Sequence, residues 1–488
     1  MKRPRLAVAA LRGRVLRDAM TRLGATFIKL GQVMSTRPEL FDRELIDSPL
    51  RRERTARASE VTMNCLRLAA PALVIASLAA LGAPACGSSD TSTPTDAGTP
   101  GADSSGNGPP GGDAAASDAP GNPLPGVDAA AARDGSSPNP GSPAAALAAK
   151  LGRPSRLLFG LGGGNDPAVI KTQGIAPDLY ERYLVSVGAG AWPTWNSPSG
   201  AYVNLVAGDA DTMGAVPMFT LYQMATNGDG NIADINDATF MGQYWANVQL
   251  LFQRLAIYGK PALVNFEPDF WGYTEQASPG GDPTKLAAKV SFFADCAALP
   301  DSVAGLARCM VTIARKYAPK AYVGFSPSTW GASTLPPVVD FLKAIGGAET
   351  DFVVMQTLDR DSGCFEAAKE ADCMRSGTGW YWDEANVAHP NFQDHLAEAK
   401  AFSQGLNLPL VWWQTPLGAP SATPGGTPNH YRDNRAHYFL THPAEVVAAG
   451  GLGIVFGAGA GNETDITTDN GQMKTLSTAY LASPAPLK

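Results

Sequence analysis

Glu267 and Asp269 stand two positions apart where an apolar run ends, in KPALVNFEPDFWGY (260–273). Carboxylates in such a place cost desolvation unless they are hydrogen-bonded or put to work. The work open to them is acid–base chemistry. A carboxyl among apolar groups keeps its proton, whereas one beside a cation stays ionised. Phe266, Phe270 and Trp271 give Glu267 the first environment. QTLDRDSGC (356–364) offers the second, with Arg360 between Asp359 and Asp361. Cleavage of a glycosidic bond calls for such a pair, one group as acid and the other as base or nucleophile. That casts Glu267 as the acid and Asp359 or Asp361 as its ionised partner. The residues do not choose between the two aspartates, and an ion network at a loop start is the plainer use of Asp-Arg-Asp.

These groups need elements to hold them. Eight apolar runs follow one another at 156–164, 182–190, 215–223, 261–269, 321–329, 351–359, 408–416 and 451–459. Segments with helical spacing lie between most of them, including 237–259 and 302–318. Strands alternating with helices pair in parallel, and eight such units imply an α/β fold of the (β/α)8 TIM-barrel type. An open doubly wound sheet is the rival, although GLGGGND (160–166) leads into Pro167 and matches a dinucleotide loop weakly. In a barrel the chemistry sits at the carboxyl ends of the strands. The polar and aromatic residues expected there are Trp192, Trp195, Tyr222, Asn265, Asp269, Trp271, Trp330, Gln356, Trp412, Trp413 and Gln414. A rim of indoles, phenols, amides and carboxylates suits a carbohydrate, since rings stack on sugar faces and polar groups bind hydroxyls. Period-two alternation would put Asn265, Glu267 and Asp269 on one face of the fourth strand.

The fourth run, with Asn265 and then Glu267-Pro268, resembles the acid/base strand of barrel glycoside hydrolases of the cellulase-type clan. The resemblance implies a surface-acting hydrolase of poly- or oligosaccharides. Two departures stand out. Phe266 separates Asn265 from Glu267, and LVWWQTPLG carries Gln414 where that clan has its nucleophilic glutamate at strand seven. An amide cannot take that role, so a non-catalytic carbohydrate-binding barrel is the alternative reading.

The flanking sequence divides sharply. Residues 1–60 hold 14 Lys and Arg against 7 Asp and Glu, a balance of +7 within a chain of net charge -7. The acidic remainder argues against nucleic acid as a partner. Residues 20–46, with Lys29, Gly31, Gln32 and STRPEL, resemble a fragment of the UbiB-like atypical kinase family. No kinase core follows, so 1–62 reads as a fragment or an over-extended start. From Met63, Arg67 precedes an apolar run that ends in small residues before Cys86. Residues 63–86 resemble a bacterial lipoprotein signal peptide, which implies lipidation at Cys86, a membrane anchor and an extracytoplasmic location. An ordinary signal peptide or an uncleaved anchor is the plainer alternative. Residues 87–148, rich in Gly, Ser, Pro, Ala and Asp, have nothing to bury and read as a disordered linker. The barrel then occupies 149–488, and a monomer is expected.

Four cysteines fall in the barrel. In an exported protein Cys296 with Cys309, and Cys364 with Cys373, read as two local disulfides. No Cys-x-x-Cys supports zinc, and the histidines lack His-Glu-x-x-His spacing. TNGDGNIADIND (226–237) matches only the early positions of a calcium loop and reads better as a turn. No metal or cofactor is expected, and the absence of Gly-x-Ser-x-Gly argues against a serine esterase.

Overall fold

A computed structural model of the chain describes residues 141–487, apart from 330–334, 359–361, 375–380, 424–426 and 458–462. The readings of residues 1–62, the signal segment, Cys86 and nearly all of the linker lie outside the described residues. So do Trp330, Asp359 and Asp361.

Eight strands run in chain order: β1 (Leu158–Leu161), β2 (Leu179–Val185), β3 (Val216–Tyr222), β4 (Ala262–Phe266), β5 (Ala321–Phe325), β6 (Phe352–Met355), β7 (Leu410–Thr415) and β8 (Gly451–Phe456). All neighbours are parallel, and β1 pairs with β8 as well as with β2. The sheet therefore closes into a barrel, which excludes the open doubly wound alternative. A parallel strand buried on both faces reads as a continuous apolar run. That is why most of the strands coincide with the runs in the sequence.

The outer layer is helical. The helix Ala238–Tyr258 starts on Asp237, whose side chain accepts from the backbone N–H groups of Thr239 and Phe240, and it ends on Gly259 at φ 71°. It buries Met241, Tyr244, Trp245, Val248, Leu251, Phe252 and Leu255, a stripe at three- and four-residue spacing that faces the barrel. The helix Val303–Tyr317 is capped by Ser302 and held by the Cys296–Cys309 disulfide. The second disulfide joins Cys364 to Cys373. Both local pairings expected from the sequence are therefore present. Among the described residues no helix is long and apolar enough to cross a membrane.

The amino-terminal end of the barrel is closed by charge. Asp178, fully buried at the entry to β2, pairs with Arg153 and with Arg156 (2.7 Å). It also accepts from Phe159 N–H (3.1 Å). The helix Pro143–Lys150 buries Ala144, Leu147 and Ala148 just before these arginines.

Candidate active site at the carboxyl ends of the strands

The fourth strand stops one residue before the carboxylates. β4 ends at Phe266, and Glu267 (φ 45°) and Asp269 (φ 68°) both adopt left-handed backbone. Period-two alternation does not run on through them, which corrects the expectation of one shared face with Asn265. Gln414 on β7 is also left-handed (φ 51°), at a register irregularity between Trp412 and Thr415. Non-glycine residues rarely take this conformation. Strained backbone of this kind collects at sites that must aim a side chain, and here three polar residues share it at the barrel mouth.

The carboxyl of Glu267 is almost wholly buried at 1 % exposure. Its Oε2 accepts from Gln223 N–H (2.8 Å) and Met224 N–H (3.0 Å), so it also fixes the chain leaving β3. Its Oε1 has no hydrogen-bond partner among the described residues. Burial pushes the group up to about 8, against the opposing pull of the two N–H donors and the nearby Tyr244 hydroxyl. Glu267 is therefore a neutral acid at pH 7. With Oε2 occupied by two donors, the proton belongs on Oε1.

Glu267 lines a shallow cleft open to solvent, with Tyr222, Asp229, Asp269, Phe270 and Tyr273 among its walls. The Tyr222 hydroxyl lies 2.8 Å from Asp229 Oδ1 and 3.3 Å from Asp269 Oδ2. Burial, then the charges of Asp269 and Asp229, push the Tyr222 phenol well above its ordinary value, so it stays a donor. TNGDGNIADIND forms a turn and a short 3-10 helix. Within it Asn227 donates to Asp234 (2.9 Å). Among the described residues no cluster of three or more His, Cys, Asp or Glu side chains is arranged to hold a metal.

Tyr222 also links the cleft to the barrel axis. Its ring meets Tyr183 edge-on at 6.3 Å, and Tyr183 lies 5.6 Å from Trp413. Gln414 Nε2 donates to the Tyr183 hydroxyl across the mouth. Beneath them the carboxyl of Glu181 is buried (2 % exposed), accepting from Gly163 N–H (3.3 Å) and Trp413 Nε1–H (3.4 Å). Burial raises its pKa, and the nearby Thr220 hydroxyl, Arg182 and these donors pull the other way. Gly162 makes room for it, because a Cβ there would sit 3.0 Å from Glu181 Cβ and 3.2 Å from Val455 Cγ1. Glu181 falls outside the second run, which was expected from Arg182 onward, and Tyr183 falls inside that run rather than at its exit. The signal was Glu181 itself, one position off two apolar residues and in phase with Leu179 and Tyr183 in LYERYLV.

The tryptophan rim is mostly core. Trp192 is fully buried and donates to Gln223 Oε1 (3.1 Å), and Trp271 donates to Phe266 O (2.8 Å) and packs on Phe325. Trp412 points outward and donates to His395 Nε2 (2.8 Å). Trp195 is half-buried, bonded to Gly190 O and packed on Tyr202. Each indole N–H is spent inside the protein. For the three buried ones, Trp192, Trp271 and Trp412, packing replaces the expected contact with a ligand. Trp413 turns inward, Gln356 is half-buried just beyond β6, and Asn265 is wholly buried facing the axis.

No family model matches the chain, and no curated protein matches it. Solved structures do. A GH5-4 broad-specificity endoglucanase from an uncultured bacterium is 12% identical over 68% of this chain and 96% of its own, with a TM-score of 0.37. The β-mannanase of the blue mussel Mytilus edulis is 12% identical over 68% and 94%, with a TM-score of 0.35. A D-psicose 3-epimerase is 12% identical over 66% and 98%, with a TM-score of 0.37. At these identities and TM-scores the likeness assigns no chemistry. The chain is a (β/α)8 barrel with a polar, aromatic mouth.

Proposed function

We propose that this chain is a glycoside hydrolase acting on a poly- or oligosaccharide, with Glu267 as its general acid. One observation carries the reading. A buried, neutral carboxylic acid is among the residues lining a cleft that also holds two aspartates and a phenol. In the reaction the Oε1 proton passes to the glycosidic oxygen as the C–O bond breaks, and an ionised carboxylate activates water or attacks the sugar carbon. Asp269 and Asp229 are carboxylates that line the cleft, and Asp359 or Asp361, which follow β6 in the sequence, is the second source. Single Asp→Asn variants assign the role, because only loss of the true partner removes turnover with Glu267 intact. The exported, lipid-anchored setting implied by residues 63–86 belongs to the same proposal, and the two disulfides suit it.

The test is hydrolysis of a panel of plant and bacterial glycans by the wild type and by Glu267→Gln. Turnover lost in the variant, with binding kept, supports the acid; turnover kept in the variant sinks it. The second reading is a carbohydrate-binding barrel without turnover. It is favoured by Gln414, whose amide is tied to Tyr183 on the strand where the clan places its nucleophile. Binding of the same glycans with no product from the wild type would select it.

A further inference from the structure

Behind the cleft, the barrel axis carries buried polar groups that the proposed reaction leaves unused. Asn265 on β4 is wholly buried, and among the described residues neither Oδ1 nor Nδ2 has a hydrogen-bond partner. It is in register with Thr220, which is in register with Tyr183, so the three residues share the inner face of the sheet. Ser326, just past β5, likewise buries an Oγ with no partner among the described residues. Glu181 lies on the same face of β2 as Tyr183. The hydrogen bond from Gln414 to Tyr183 spans the mouth above this group, and both of its residues are half-buried.

Buried polar groups in folded proteins are almost always hydrogen-bonded. A whole carboxamide without a partner is therefore a liability to the fold that a ligand's polar atoms can relieve. The complement it requires is narrow. Asn265 offers donors and an acceptor together, and Ser326 offers one donor and can accept. A hydroxyl group does both in return. An anion would meet Glu181, and the described residues hold no cluster fit for a metal.

We propose that the axis beneath the Tyr183–Gln414 bridge is a subsite for the hydroxyl-bearing end of a neutral sugar, bound by Asn265 and Ser326 once the bridge parts. This deepens the carbohydrate reading and rests on it for the ligand class, but it needs no bond to be cleaved. The experiment is titration calorimetry of the whole protein with D-glucose, D-mannose, D-galactose and D-xylose, paired with thermal melting of the ligand-free forms. Two variants are compared: Asn265→Leu and Ser326→Ala.

The wild type binds at least one of the four sugars. Asn265→Leu melts at or above the wild-type temperature when free and binds about tenfold more weakly or worse. Ser326→Ala melts as the wild type does and binds more weakly. Binding is read here without turnover, which separates this site from the fate of the acid assignment. No binding of any of the four sugars overturns the proposal, as does unchanged affinity in both axial variants. A marked fall in the ligand-free melting temperature of both axial variants also overturns it, since those groups would then be structural. If Asn265→Leu fails to fold, Ser326→Ala decides alone by the same criteria.

Discussion

Replacing Glu267 by Gln should make the protein more tolerant of high pH, and the size of the effect follows from the burial of one carboxyl. A free glutamate titrates near 4.5, whereas Glu267 in the fold is pushed up to about 8. Between those values the unfolded chain has lost the proton that the folded chain retains. The folded state then binds more protons, so stability falls as pH rises, and it levels off above about 8. The full interval corresponds to roughly 5 kcal/mol, a large share of the stability of a typical domain. Glutamine reproduces the neutral acid: its carbonyl can accept from Gln223 and Met224, and its amide takes the place of the protonated oxygen. The two proteins should therefore be close in stability near pH 4, and the variant should gain steadily on the wild type up to pH 8. Urea unfolding of both proteins at a series of pH values from 4 to 9 measures the difference directly, because every other titrating group cancels. Parallel curves would refute the reasoning, and so would a wild type that gains on the variant as pH rises. Either result would mean that the carboxyl is ionised in the fold and cannot start as an acid.

Three further outcomes are expected. Gly162→Ala should cost about 1–3 kcal/mol in a denaturation midpoint, because the new methyl presses on Glu181 and Val455. Tyr222→Phe should leave the fold intact and lower kcat more than it changes KM, since the lost hydroxyl is the one between Asp229 and Asp269; unchanged kcat would remove Tyr222 from the site. Replacing Cys296 and Cys309 together by Ser opens a loop of sequence separation 13 and should cost about 3 kcal/mol under oxidising conditions. Melting of both forms with and without reductant checks this.

The barrel was legible because its strands are buried on both faces, so each announces itself as an apolar run whatever its partners. The one strand placed late, β2, is the one with Glu181 and Arg182 in its middle. The charge that hid the strand is also what makes its interior face of interest. The mouth was less legible. Trp192, Trp271 and Trp412 stand where a rim would need them in sequence, but sequence does not say which way an indole turns once a strand has ended. Left-handed backbone at Glu267 and Gln414 re-aims both side chains, and nothing in a two-residue alternation announces it. The raised Glu267, by contrast, was foreshadowed by its neighbours in the chain. The burial that raises it comes in large part from the exit of β3 and from a helix that precedes β4.

The charge cluster at Asp178 has a practical consequence. Arg153 and Arg156 tie the start of the barrel to the amino-terminal ends of the strands, and the carboxyl-terminal segment returns to the same place. Leu157 N–H donates to Ala485 O, and Leu487 N–H donates to Ser155 O. Both ends of the folded unit thus leave from the pole opposite the mouth. A surface, a bead or a fusion partner attached at either end would hold the barrel with its opening turned outward.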